Sequence, residues 1–224
     1  MNILDLIFPK KCFGCSRKEG YLCGDCLIKL QLKIQNCPFC KKSSIDGMTH
    51  SKCRRKLSLD GHYSVWKYRG AVRGAVLAIK YKFAFDIAKE FADRASRVLR
   101  KEAVLGPNVV LVPIPAHGLR QNWRGFNQSE EIGKIIAKNM GWRYEPGLLI
   151  KRRATLPQTE LGRGSRLKNL RGVFSLSPNY SLVPSAHPLV LFDDVWTTGA
   201  TIKEACKELK RNGFTNVWGL TLAS

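Results

Sequence analysis

No uninterrupted apolar stretch in this sequence approaches the roughly 20 residues that a membrane-spanning helix requires, which argues against a helical bilayer protein. Residues 1–11 place Asp5 inside a short apolar run and the lysines after it, the reverse of a secretory leader. They read instead as a short docking helix over residues 1–8, and the expectation is a soluble, cytoplasmic protein. Acidic residues are few, 17 against 38 lysines and arginines, for a formal charge of +21. That excess goes beyond what solubility requires and points to a polyanionic partner; the plainer alternative is a basic protein whose charge serves colloidal stability and phosphate binding. Cysteine is almost missing after residue 53. Cys206 alone remains, inside a helical stretch with no second ligand near it, and reads as a small core residue. Low-complexity tracts and internal repeats are missing too, apart from the cysteine pairs.

The other seven cysteines come in pairs: Cys12 and Cys15, Cys23 and Cys26, Cys37 and Cys40, with His50 and Cys53 as a fourth. Two-residue spacing lets both side chains of a tight knuckle face one tetrahedral ion, and thiolate with imidazole is a set that Zn²⁺ prefers. An odd cysteine count without a leader argues against disulfides. Eight ligands make two structural zinc sites with no coordination position left for water. Two pairings satisfy the spacing. A sequential one groups Cys12, Cys15, Cys23 and Cys26 apart from Cys37, Cys40, His50 and Cys53; a cross-braced one mixes alternate pairs. If His50 is a surface histidine instead of a ligand, the second site keeps only three cysteines. Seven thiolates against two Zn²⁺ lower the charge by three, to +18, so the basic excess survives.

After Lys56 the ligand spacing stops. A length of 224 residues with 44% hydrophobic content suits one domain of ordinary size and a small one, divided as 1–56 and 57–224. Alternation over residues 62–68 predicts a half-buried strand. Helical periodicity follows over 70–81 and 85–99. The apolar run 109–115 ends in prolines, as a buried parallel strand does. Residues 128–140 read as the next helix, and 148–150, 173–174, 189–192 and 217–222 supply further strands. Strands separated by helices predict an α/β fold with a largely parallel sheet, whose ligands bind beyond the carboxyl ends of the strands.

Two loops fall at that edge. One is Pro115-Ala116-His117-Gly118. The other follows Leu189-Val190-Leu191-Phe192 and begins with Asp193 and Asp194, carboxylates that are costly to place side by side unless hydroxyls or a cation meet them. Thr197, Thr198, Gly199, Ala200 and Thr201 then lead into a helix beginning near Ile202, so that N–H groups and hydroxyls converge on its positive end as a phosphate cradle.

Strand, acid pair, TTGAT and helix in this order resemble the signature of the type I phosphoribosyltransferase fold, whose ligand is 5-phosphoribosyl-1-pyrophosphate (PRPP). With the four ligand pairs and the stretch VPIPAHGLRQNWRGFNQ over residues 112–128, nearly the whole chain resembles the ComF family, of the ComFC competence type. The resemblance implies a double zinc ribbon followed by a phosphoribosyltransferase-like domain. In that domain Asp193 and Asp194 would hold the ribose with Mg²⁺, and the TTGAT loop would hold the 5-phosphate. Pro115 to Gly118 would meet pyrophosphate, with Arg120 and Arg124 as planar, always-charged phosphate partners. Thr197 stands where purine-salvage members carry a third acid, and the sequence shows no obvious hood for an acceptor base.

Residues 151–171 carry seven basic side chains, Lys151, Arg152, Arg153, Arg163, Arg166, Lys168 and Arg171, against Glu160 alone. By resemblance this is the loop that closes over PRPP; it could also track a nucleic-acid backbone, or be a solvated linker. Trp66 and Tyr68, and Trp123 and Phe126, lie among basic residues as candidate base-stacking platforms. Three functions stay open. The leading one is a cytosolic competence protein that binds single-stranded DNA and carries a PRPP pocket within the DNA-uptake machinery. The others are an active Mg²⁺-dependent phosphoribosyltransferase of unknown acceptor and a PRPP-responsive DNA-binding regulator.

Overall fold

The apolar runs assemble into a five-stranded sheet, every neighbouring pair parallel, in the order β1 (Gly61–Trp66), β7 (Val217–Ala223), β6 (Leu189–Val195), β2 (Val110–Pro113), β3 (Arg143–Tyr144). The computed structural model describes residues 10–81, 85–116, 127–152, 172–178 and 187–224. A short helix, α1 (Gly24–Ile28), lies in the cysteine-rich region; α2 (Gly70–Tyr81), α3 (Phe85–Glu102), α4 (Gln128–Met140) and α5 (Ala200–Arg211) flank the sheet.

Both faces of the sheet are covered, which is why the central strands read as continuous apolar runs. Val190 and Phe192 pack with Phe91, Ile132 and Ile136 of α3 and α4 on one face. Leu189 and Leu191 pack with Ile202, Cys206 and Leu209 of α5 on the other. Cys206 is fully buried, and burial pushes its thiol up to about 12, as befits a core residue. The α4 boundaries match the sequence reading, and Asn127 caps its first turn by accepting from Ser129 N–H at 3.1 Å.

Three elements differ from expectation. The strands near residues 150 and 174 do not join the parallel sheet. They form a separate antiparallel pair, β4 (Leu149–Lys151) with β5 (Phe174–Leu176), so the basic segment connects the two arms of a hairpin. The helix after the TTGAT motif starts at Ala200, which places Thr201 in its first turn. And β1 is buried along its whole length although its sequence alternates. Its outer edge is not free: Lys33 N–H donates to Val65 O, Lys67 N–H to Gln31 O, and Leu32 bridges Trp66 in antiparallel register. The side chain of Gln35 completes the seam by accepting from Ser64 N–H and donating to Ser64 O. Trp66 is 2% exposed and meets Phe91 edge-on, so it is a core residue and not a base-stacking platform. Trp123, Phe126 and the docking helix of residues 1–8 lie outside the described residues.

The cysteine-rich region shares this core. Cys12, Leu22 and Cys23 are buried in the same cluster as Tyr63, Trp66 and Phe91. Arg94 of α3 donates to Leu22 O at 2.9 Å and to Glu90 at 2.7 Å. At the other end Asp60 accepts from Val217 N–H at 2.8 Å and from Lys210 at 2.6 Å, in an ion pair whose side chains are 17% and 9% exposed. Gly47 has φ +77° and lies so near His62 O that a Cβ would sit 1.9 Å from it, which fixes glycine at this approach.

Removing one partner of a mostly buried, hydrogen-bonded ion pair leaves the other uncompensated. Asp60→Ala is expected to lower unfolding free energy by about 3 kcal/mol, read from urea denaturation of the zinc-loaded protein; a loss under about 1 kcal/mol would show the Lys210 pair to be a solvated surface contact.

Candidate functional site

The eight metal-ligand candidates fall into two groups in sequential order. Cys12, Cys15, Cys23 and Cys26 form one, Cys37, Cys40, His50 and Cys53 the other, with the ligand atoms of each within 4.8 Å of one another. The cross-braced pairing is thereby excluded. Burial works against the Cys12 thiolate, yet N–H groups of Cys23 and Gly14, each 3.4 Å from its sulfur, outweigh it and bring the thiol down to about 6. Burial likewise opposes the Cys37 thiolate, and backbone N–H bonds from Cys40, His50 and Phe39 bring it to about 7. His50 Nε2 lies 3.1 Å from Ser43 O, a bond it can make only as the donor, which leaves the Nδ1 lone pair for a metal. Nδ1 is 3.3 Å from Cys40 Sγ, inside the ligand group. Both groups therefore fit tetrahedral Zn²⁺, which would tie the knuckles together and act structurally.

The second site follows from topology. From β2 the chain passes through α4 outward to β3, whereas from β6 it passes through α5 the opposite way to β7. The direction reverses between β2 and β6, and the crevice at their carboxyl ends is where ligands of such sheets bind. Asp193 and Asp194 occupy the end of β6, and Pro115 and Ala116 follow β2. Asp193 Oδ1 accepts from Ser129 Oγ at 2.9 Å and from Asp194 N–H at 3.0 Å. Asn127 sits beside it, donating to Ile114 O at 3.2 Å and to Glu130 at 2.8 Å, so the cap of α4 is tied to the end of β2. Gln128 is 8% exposed and its Nε2 has no partner among the described residues. The sequence reading missed Asn127 and Ser129 as organisers of the acid pair; the capping pattern before α4 was the available signal.

Gly199 starts the loop-to-helix turn at φ +71°, and a Cβ there would lie 2.1 Å from the Trp196 ring. Thr198 Oγ1 accepts from Ala200 N–H at 3.3 Å, and no acid stands in the first turn of α5 to offset its positive end. Thr197 is exposed. Trp196 stacks on the His62 ring with centroids 3.9 Å apart, and Lys203 Nζ lies 5.3 Å from the Trp196 centroid. The basic segment is described only at its ends. Lys151 belongs to β4, Arg152 N–H donates to Val173 O at 2.8 Å, and Gly172 N–H donates to Glu204 of α5 at 2.9 Å. Burial opposes the Glu204 carboxylate, but Gly172 and Lys207 hold it below the usual range. His117, Gly118, Arg120 and Arg124, and Arg153, Arg163, Arg166, Lys168 and Arg171, lie outside the described residues.

These features define a parallel α/β protein with an acid pair at its switch point, a hydroxyl-rich loop on a helix N-terminus and an integrated two-zinc module. A double zinc ribbon domain model matches residues 3–60. Competence protein F of Haemophilus influenzae is 30% identical over 224 aligned residues, covering 95% of this chain and 90% of that protein. DNA utilization protein YhgH of Salmonella typhi is 26% identical over 95% of this chain and 96% of its own. Competence protein ComFC of Streptococcus pneumoniae is 27% identical over 89% and 86% respectively. The chain belongs to the ComF family. Among the described residues no helix is long and apolar enough to cross a membrane.

His62 is sealed beneath Trp196, with Nε2 3.0 Å from Thr221 Oγ1. Burial, then Lys203 and Lys33, lowers its pKa from 6.5 to about 3. The unfolded chain therefore takes up a proton near pH 6.5 that the folded chain refuses until about 3, and stability falls as the pH drops through that window. By about pH 5 the loss is on the order of 2 kcal/mol. His62→Gln should flatten the urea-midpoint profile between about pH 6.5 and 5 relative to wild type; superimposable profiles would mean that His62 titrates in the fold as it does in the unfolded chain.

Proposed function

We propose that this protein acts in the cytosol as a DNA-uptake protein of the ComF type, with residues 1–56 as its zinc module and 57–224 as a phosphoribosyltransferase-like domain that binds PRPP. The observation that carries the PRPP reading is the switch-point crevice. A carboxylate pre-oriented by Ser129 stands at its edge, and the glycine-opened start of α5 offers a phosphate N–H groups and threonine hydroxyls. Asp193 and Asp194 would hold the ribose with Mg²⁺, Thr197 to Thr201 the 5-phosphate, and Pro115 and Ala116 the pyrophosphate side. The amide of Gln128, unpaired among the described residues and one residue from Ser129, supports a polar ligand there.

Single-stranded DNA is the partner that fits the charge of +21 and the relatives named for competence and DNA utilization. The basic segment would supply much of the path, since its ends are held by the β4–β5 pair and by Glu204 of α5, beside the phosphate loop. Closing over PRPP and tracking a strand would then be alternative uses of one segment. The pre-set Asp193 also favours a second reading, an active phosphoribosyltransferase with an acceptor other than a 6-oxopurine, because Thr197 offers no acid to meet such a base.

Anisotropy of a labelled single strand tests the first reading. Lys151→Glu with Arg152→Glu should weaken binding and reduce the slope of log affinity against log salt by about 1.4, whereas an unchanged slope would remove the segment from the DNA path. For the crevice, calorimetry with Mg²⁺ and PRPP should show binding to wild type that Asp193→Asn loses; equal affinities would remove PRPP from this site. Mg²⁺-dependent pyrophosphate release from PRPP that requires an added acceptor, and that Asp193→Asn loses, would establish the second reading.

A further inference from the structure

A cleft of about 200 Å³ lies between the zinc module and the loop after β6. One wall is Lys33, Gln35, Asn36, Pro38 and Lys41; the facing wall is Ser64, Trp196, Thr197, Thr198 and Lys203. Asp193 and Asp194 are not among its lining residues and no Asp or Glu side chain is, although Cys37 of the second ligand group and Ser224 are. Among the described residues none of the three lysines forms an ion pair. Lys203 Nζ lies 5.5 Å from the Phe39 ring and 5.3 Å from that of Trp196, so it is flanked by two aromatic rings. Burial first, and then Lys41, lowers its pKa against the opposing effect of the Cys37 sulfur.

Ser64 supplies the second, independent observation. It is 1% exposed, lines the cleft, and its hydroxyl has no partner among the described residues, although its own N–H and C=O are both bound to Gln35. Buried hydroxyls are seldom left unpaired. Three ammonium groups suit a phosphate, while Pro38 and Trp196 give apolar surface on which a sugar or base can lie.

We propose that this cleft binds a nucleotide, with its phosphate held by Lys33, Lys41 and Lys203 and a hydrogen bond completed by Ser64. The zinc module thus furnishes half of a binding site and is more than a structural appendage. The nucleotide can be free or one unit of a single strand; the recognising chemistry is the same. The site does not depend on PRPP binding in the neighbouring crevice, although both would use Thr197 and Thr198.

Calorimetry on the zinc-loaded full chain with thymidine 5′-monophosphate tests this. Wild type should bind, and Ser64→Ala should bind about tenfold more weakly, the scale of one charge-assisted hydrogen bond. Its melting temperature should be unchanged or raised, because an unpaired buried hydroxyl has been removed; a merely structural serine would not separate these two readouts. Lys33→Gln with Lys41→Gln, which keep the backbone bonds of both residues to Val65 and Cys37, should lose affinity by more. A short oligonucleotide displacing the mononucleotide would identify the source as a strand, and failure to displace it would identify a free nucleotide. Absence of nucleotide binding by wild type, or wild-type affinity in both variants, would overturn the proposal.

Discussion

The pairing of residues 31–35 with the outer edge of β1 is the constraint on which the rest of this structure depends. An edge strand otherwise presents unpaired N–H and C=O groups. Here backbone bonds from Lys33 and to Gln31, with the Gln35 side chain, satisfy them. The pairing segment runs between Cys26, the last ligand of the first group, and Cys37, the first of the second. Metal at both ends would fix its length and register, so the zinc groups act on the sheet through this short tether. Unfolding either knuckle would reopen the edge of β1 and expose His62 and Ser64.

Burial of β1 then shapes the loop that follows β6. His62, kept neutral beneath the seam, offers Trp196 a flat partner, and Trp196 in turn lies so near Gly199 that no side chain fits there. The left-handed glycine and the stacked ring together set where α5 begins. The N-terminal module thus reaches the loop before α5 through two contacts, Gln35 to Ser64 and, two residues back along β1, His62 to Trp196. On the opposite side of the crevice α4 does comparable work: its cap joins the end of β2 through Ile114 and the acid pair through Ser129.

The parts legible in the sequence were those governed by local pattern. Residues 189–192 and 109–112 are apolar at every position because both faces of their strands are covered, and the pattern gave the parallel sheet directly. Two-residue spacing gave all eight metal-ligand positions; only the pairing required coordinates. Alternation in β1 misled, because a polar residue every second position is the mark of a solvated face, and here the polar face is covered by a module encoded thirty residues earlier. Val173 and Phe174 read as a sheet strand although short apolar runs carry no information on partner or direction. Ser129 escaped notice because its role spans 64 residues of sequence, and the cleft escaped because each wall alone is an ordinary basic stretch.

The scarcity of acids gains meaning from where they are engaged. Asp60 closes the seam with Lys210, Glu90 fixes Arg94 against the first knuckle, Glu204 holds Gly172 and Lys207, and Asp193 is bound to Ser129. Carboxylates that might have neutralised the surface are instead occupied in joining one element to another. No Asp or Glu side chain lines the cleft that Lys33, Lys41 and Lys203 share with Cys37, so its positive charge is offset only in part. The positive excess is therefore not spread evenly over a bland surface; part of it converges where the zinc module meets the sheet edge, next to a helix start that adds its own positive end.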